Sequence, residues 1–395
     1  MSWLRNSPIR VSFNRRASST SPPKDCDPLA CFESFRRHWQ QAHDIIVKTQ
    51  ANADGPSPDD VLGVVNNLEQ LMSLLLLELK GPGNSEEQQH CLEHLLSENV
   101  LERLLMWSRL TSRYNNLRLE QLKLYEMLLS NAPQRQLLIH EPFLRPLLSL
   151  LSSCANEYFP PDTEKRLILL LNQLCVCLMQ NPALLDLFFT SENGPGRFLI
   201  FGLLIPYVHR EGGIGHQARD AMLLCMSLSK KNELLGRYIA THSNVCPVLA
   251  TGLSGLFSRL PRKLAIETED WHSFTPDDVN EMPELTLFLN SLEFCNAVVQ
   301  VAHPLVQSQM LEFVYHGFLV PVVGPALLQS IEEELVATTA YLDLFLRSVT
   351  EPGLLQTFLR FLLTNHYDGE RVIDKMIQRL GSKSRVTLYG VSVTV

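Results

Sequence analysis

The sequence predicts an all-α protein, an irregular α-solenoid built from HEAT- or armadillo-like helix pairs. Three observations predict it. Apolar residues recur at three- and four-residue steps along most of the chain. Prolines and glycines gather at the joints between these runs. Helix pairs return about every 30–45 residues, the size of such units, without the fixed period of tetratricopeptide or ankyrin arrays.

Composition narrows the class. The chain has 395 residues and 45% of them are hydrophobic, enough for a large core. The formal charge of −8 argues against a nucleic-acid binder as a whole. Basic residues concentrate at the start, with Arg5, Arg10, Arg15, Arg16 and Lys24 and no acid before residue 25. The nine cysteines have no regular spacing, and Cys175, Cys225 and Cys295 fall on apolar helical positions, which reads as buried free thiols. The apolar runs at 71–79 and 198–208 are shorter than the ~18–20 residues of a spanning helix. No continuous apolar segment marks a secretory signal, and Ser2 excludes myristoylation. These features lead to the expectation of a cytoplasmic protein.

Residues 1–26 read as a disordered Ser-, Arg- and Pro-rich tail. Its composition is similar to a mitochondrial transit peptide, but Pro8, Pro22 and Pro23 interrupt any amphipathic helix. Arg15-Arg16-Ala17-Ser18 resembles a basophilic-kinase site and makes Ser18 a candidate phosphorylation site. Residues 27–381 form the predicted helical body. Asp27 can cap its first helix, whose stripe is Phe32, Phe35, Trp39, Ala42 and Ile46. After a linker at 51–56, Ser57-Pro58-Asp59-Asp60 opens the next, with acids at its positive end. Its predicted face is Val61, Val65, Leu68, Met72, Leu75 and Leu79, and Gly81-Pro82-Gly83 ends it.

Shorter helices follow at 85–96, 100–110, 117–130, 143–153, 162–179, 184–190, 198–209, 216–228, 234–241 and 248–260. Asp162 is the expected cap of the fifth of these. Residues 261–283 form the longest break, an acidic surface loop with a lesser prospect of partner contact. Residues 288–307, FLNSLEFCNAVVQVAHPLVQ, read as helix, break, helix. Leu285, Phe288, Leu292, Cys295, Val299 and Ala302 make one apolar face, and Phe294, Val298 and Val301 a second. A helix apolar over most of its circumference sits between neighbours. His303 precedes Pro304 and is pushed out of helical geometry, while Pro304 suits the first position of a new helix. That helix, with Leu305, Met310, Phe313 and Val314, is expected to stop at Gly317. Pro325 is expected to start a long helix faced by Leu328, Ile331, Leu335, Thr339, Leu342, Phe345 and Val349. Helices at 353–363 and 370–380 complete the body. Residues 382–395 depart from this style, since VTLYGVSVTV alternates like a strand.

One spacing suggests chemistry. His90-Cys91-Leu92-Glu93-His94 fits the H-x-x-E-H pattern, in which two histidines one helical turn apart hold zinc and the glutamate acts as base. Leu92, Leu95 and Leu96 define a core face there, and no third ligand is signalled, so an exposed polar face is the favoured reading over a zinc hydrolase. Cys175 and Cys177 point to different sides of a helix and cannot share a metal. Neither a phosphate-binding loop nor a nucleophile elbow occurs, so no catalytic residue and no cofactor is implied. His303 reads as a structural cap or core contact.

Several runs carry a family resemblance. They are LSGLFSRLPRK at 253–263, Trp271, the stretch 288–307 and GFLVPVVGPALL at 317–328, supported by MSWLRNSP at the start and CFESFRRHW at 31–39. Together they resemble the FTS–Hook-interacting protein (FHIP) family. The positions that carry the resemblance as structural core are Leu292, Phe294, Cys295, Val299, His303, Pro304, Gly317, Pro321, Gly324 and Pro325. The resemblance implies a scaffold without catalytic activity. It implies a complex with a Hook dynein adaptor and with FTS, a ubiquitin-conjugating-like protein lacking activity. It also implies a link through a Rab GTPase to endosomal membranes, with association only peripheral. Family members known to continue helically imply that this chain is a truncated or alternatively ended form.

Overall fold

The protein is described from a computed structural model, which covers residues 28–50, 55–80, 89–110, 115–132, 134–155, 157–190, 196–264, 273–367 and 369–380. The calls on Ser18, on the tails 1–26 and 382–395, on Asp27 and on Gly81-Pro82-Gly83 fall outside those residues. Within them the fold is all-α, with antiparallel two-residue strand pairs as its only sheet. The residues divide into two compact units, and the division lies between Leu224 and Cys225.

The first unit opens with α1 (Pro28–Gln50) and α2 (Pro58–Lys80), packed along each other. Ser57 and Asp60 cap α2 reciprocally. The Asp60 carboxylate accepts from the Ser57 N–H at 3.0 Å and hydroxyl at 2.7 Å, and the Asp60 N–H donates to Ser57 Oγ at 3.2 Å. The buried face of α2 is Val61, Val64, Leu68, Leu71, Leu75 and Leu79. Val64 and Leu71 are buried in place of the expected Val65 and Met72: both sets flank the line Val61, Leu68 and Leu75, and the neighbouring elements cover the i+3 flank and leave the i+4 flank half-buried.

Next come α3 (His90–Ser97), α4 (Val100–Leu110), α5 (Asn115–Asn131), α6 (Gln134–Ile139), α7 (Glu141–Ser153) and α8 (Pro161–Gln180). Helices α2, α5 and α8 pack in succession as one row, and α4, α7 and α9 (Leu199–Leu204) back them as a second. Such paired rows are solenoid-like packing. Trp107 locks α4 to α1: it is fully buried, and its indole N–H donates to Thr49 Oγ1 at 2.8 Å. Pro160, not Asp162, is the N-cap of α8, since Pro161 already adopts the first helical position. The expected helix at 184–190 is instead a 3₁₀ turn (Pro182–Phe188) leading into β1 (Phe189–Thr190), which pairs antiparallel with β2 (Arg197–Phe198). Pro206 ends α9 early, and a second 3₁₀ turn follows.

The division between units falls inside α10 (Gly212–Ser229). The second unit continues with α11 (Glu233–His242), α12 (Val245–Ser258), α13 (Pro276–Glu281), α14 (Pro283–Val301) and α15 (Pro304–Val314). Short α13, capped reciprocally by Thr275 and Asp278, lies inside the stretch expected to be loop. The helix after α15 does not stop at Gly317. It widens into a π-helical segment (Tyr315–Val323) and ends as α16 (Gly324–Leu327). Pro325 therefore closes one helix. The long helix expected from it begins later, as α17 (Glu332–Ser348), and Ile331, expected on its buried face, is 49% exposed. Then come α18 (Pro352–Thr364), the β3 (His366–Tyr367) and β4 (Glu370–Arg371) pair, and α19 (Val372–Leu380).

The core of this unit is a cluster of aromatic rings. Phe288 stacks on Phe345 at 4.3 Å, and Phe257 and Phe318 close around them at 5.8–6.2 Å. Two helical stretches, Pro58–Lys80 and Pro304–Leu327, are long and apolar enough to cross a membrane by length and composition alone. Here their apolar faces are buried against neighbouring helices.

Candidate functional site

Among the described residues, no third metal ligand joins His90 and His94. The first turn of their helix is held from α2, where the Glu78 carboxylate accepts from the N–H groups of Cys91 at 2.8 Å and Leu92 at 3.1 Å. Those are the donors a helix start leaves unpaired, and Gln89 provides no side-chain cap. Both imidazoles lean on α1: the Phe32 ring lies 5.8 Å from His90 and 5.7 Å from His94, and Phe35 lies 6.2 Å from His94. Glu93 is exposed. Burial among these rings, helped by Arg36 and opposed by Glu98, holds the His94 imidazole below its ordinary range. Among the described residues no three His, Cys, Asp or Glu side chains are grouped to hold a metal. Cys175 and Cys177 are both buried in α8.

The stretch 288–307 does assemble an organised site. Leu292, Phe294, Cys295 and Val299 are all buried in α14. Burial pushes the Cys295 thiol well up from its ordinary value, as befits an inert core cysteine. Between α14 and α15, His303 is the N-cap, in extended conformation. Its Nδ1 accepts from the Leu305 N–H at 3.2 Å and its Nε2 donates to the Glu233 carboxylate at 2.9 Å. Its backbone N–H donates to Ser229 Oγ at 3.1 Å. The ring rests on α11 where Gly236 leaves room: a Cβ there would stand 2.5 Å from His303 Cγ. His303 thus ties together α10, α11, α14 and α15. Leu305, expected on the buried face, is 46% exposed beside this junction.

Asn296 is a second polar tie. It is 6% exposed, and its Oδ1 accepts from the N–H groups of Thr350 at 3.1 Å and Glu351 at 2.8 Å. Its amide donates to Thr350 Oγ1 at 2.9 Å. The core helix α14 thereby fixes the entry to α18.

Of the remaining resemblance positions, Pro304 opens α15, Gly317 and Pro321 lie in the π segment, and Gly324 and Pro325 open α16. Pro321 and Pro325 each lack an N–H, so each withdraws a donor from the helical ladder. The Gly317 carbonyl accepts from the Ser254 hydroxyl at 3.0 Å. The Val320 carbonyl, five residues before Pro325, accepts from the Tyr367 hydroxyl. The wider π spacing agrees with this, since the Gly324 N–H bonds Leu319 O, five residues back. Gly324 lies against Tyr367, where a Cβ would overlap the phenol ring. These contacts are architectural. They position helices against one another.

Residues 91–392 match the family model described as retinoic acid induced 16-like protein. An FHIP family protein of Drosophila willistoni is 55% identical over 97% of this chain. One of Anopheles gambiae is 53% identical over 100% of it, and one of Drosophila virilis 52% over 97%. The chain belongs to the FHIP family. It covers 38%, 42% and 40% of those three relatives, so it spans about two-fifths of the length of the FHIP proteins it matches. Within this FHIP chain, the runs that carry the resemblance supply Phe257, Phe288 and Phe318 of the aromatic cluster. They also supply the His303 junction and the π segment. Their partners Ser229, Glu233, Gly236 and Tyr367, and Asn296 within the stretch 288–307, are not singled out by spacing. The signals for two of them are modest: a glycine within the helical run ELLGRYIA, and an asparagine in an otherwise apolar helix.

Proposed function

We propose that this FHIP family chain is a non-enzymatic scaffold subunit that assembles with a Hook dynein adaptor and FTS. Through a Rab GTPase it ties endosomal cargo to dynein for transport along microtubules. Membership of the FHIP family at more than half identity over nearly the whole chain carries this reading. An all-helical fold fits it, because stacked helices offer extended surface for protein partners. The zinc-hydrolase alternative at His90, Glu93 and His94 has less support, since both imidazoles are engaged with Phe32. In this reading the chain works in the cytoplasm and meets endosomes peripherally, through its partners.

Co-expression of the 395-residue chain with a Hook protein and FTS, followed by tandem purification, tests it. The expected result is one complex containing all three, retained when residues 1–25 are deleted. Recovery of the folded chain without either partner would overturn the reading in favour of a helical scaffold with other partners. Retention only with the tail present would overturn the assignment of binding to the helical body.

A further inference from the structure

A cavity of about 390 Å³ opens beside α9 in the first unit, and its lining includes Glu157, Tyr158, Glu164, Arg197, Tyr207 and Arg210. Its size falls within the ~300–1,000 Å³ of small-ligand sites. Most of its charge is internally paired. Glu164 accepts from Arg210 at 2.6 Å, and Glu157 is bridged to Arg118. Arg197 has no carboxylate partner among the described residues. Its guanidinium lies along the backbone of α9, where a Cβ on Gly202 would come within 3.3 Å of Nε and Nη2. Tyr207, only 9% exposed, makes no side-chain hydrogen bond among the described residues, although its ring lines the cavity. Tyr158 stands wholly in solvent at the rim, 101% exposed, while its neighbour Phe159 is buried. An unpaired cation and an idle phenol beside apolar Leu203 and Pro206 make a site with one polar demand and an apolar remainder.

We propose that this cavity binds a carboxylate carried on an apolar body. Arg197 receives the carboxylate, and Tyr158 covers the body. The planar guanidinium fork matches a carboxylate in two parallel hydrogen bonds. One unpaired cation balances one negative charge. A phosphate dianion would place its second charge against Glu157 and Glu164, which line the same space. The carboxylate belongs either to a free small acid or to an acidic side chain of a partner protein, and the two sources are separable by experiment.

The test is a ligand-observed NMR titration of the full chain with phenylbutyrate, phenylbutyramide, phenyl phosphate and a capped Leu-Glu-Phe tripeptide amide. Phenylbutyrate or the tripeptide is expected to bind, and phenylbutyramide to bind at least tenfold more weakly, as loss of a charged hydrogen-bond partner implies (~10-fold or more). Arg197→Gln is expected to weaken binding by a similar factor (~10-fold) without lowering the melting temperature, because the side chain is exposed. Gly202→Ala serves as the second variant. It improves helix propensity, so the fold is retained, while its methyl shifts the guanidinium and weakens binding. Binding of phenylbutyrate without the tripeptide supports a small-molecule site, and the reverse supports a partner's acidic side chain. The proposal is overturned if neither probe binds, if the amide equals the acid, if phenyl phosphate binds more tightly than phenylbutyrate, or if Arg197→Gln leaves the affinity unchanged.

Discussion

Gly236 and His303 meet without room for a single added carbon: a Cβ at residue 236 would lie 2.5 Å from Cγ, 2.7 Å from Cδ2 and 2.9 Å from Cβ of the histidine. The pair joins α11 to the α14–α15 junction, and the histidine's hydrogen bonds to Leu305 and Glu233 depend on the ring lying there. Gly236→Ala is therefore expected to destabilise the protein by about 2–3 kcal/mol, against the usual stabilising sign of Gly→Ala inside a helix. Differential scanning calorimetry should show a lower melting temperature. The loss should shrink in a His303→Ala background, because two of the three closest atoms belong to the ring. An equal loss in both backgrounds would mean that the clash is not with His303.

Asn296 predicts a graded series. Asn296→Ala leaves the Thr350 and Glu351 N–H groups without their acceptor in a buried site and should cost about 2–3 kcal/mol. Asn296→Asp keeps an acceptor for both and loses only the amide donated to Thr350 Oγ1, a hydroxyl that can turn to donate instead. At neutral pH the aspartate should be the milder substitution by urea denaturation. If alanine were the milder, the buried oxygen would not be acting as the cap of α18.

The π segment makes a rescue prediction. Tyr367→Phe strips the donor from Val320 O, which Pro325 cannot serve from within the helix, and should cost about 1–2 kcal/mol. Pro325→Ala restores an N–H five residues after Val320. The double variant should melt closer to the parent than Tyr367→Phe does alone. No rescue would show that Tyr367 matters through its ring contact with Gly324 and not through its hydroxyl.

Much of this architecture was legible because burial follows apolar spacing: Phe35, Trp39, Leu292, Cys295, Val299 and Phe345 all lie where their helical faces place them. The misreadings share a cause. Gly317 and Pro325 are strong local punctuation, yet the helix runs through both: it widens to π spacing, and Tyr367, distant in sequence, serves the Val320 carbonyl that Pro325 cannot. Residues 184–190 have apolar spacing, but Pro182 tightens the turn to 3₁₀ and Phe189 pairs with Phe198 as strand. The junction at His303 was legible as a helix break from the His-Pro order alone. Its meaning as a four-helix tie was not, because Ser229 and Glu233 lie some 70 residues earlier in the chain.

His94 gives the last prediction, a dependence on pH. Burial among Phe32 and Phe35, with a smaller contribution from Arg36, lowers its pKa in the folded state, and Glu98 opposes this without reversing it. The unfolded chain has its histidine near the ordinary value of ~6.5. Between that value and the lower folded one, the unfolded state binds more protons, so stability rises with pH there. Above the ordinary value the imidazole is neutral in both states and the stability is fully present. It is lost as pH falls from the ordinary value through the depressed one. His94→Phe keeps an aromatic ring against Phe32 and removes the titration. Urea denaturation from about pH 7 down to about pH 5 should therefore show a shallower loss for His94→Phe than for the parent. Added zinc should not change the parent's profile, because a metal bound by His90 and His94 would have to displace their contacts with Phe32. Identical slopes for parent and variant would show that His94 titrates as a solvated side chain. A stabilisation by zinc that disappears in His94→Phe would show that the two imidazoles can turn away from α1 and act as ligands.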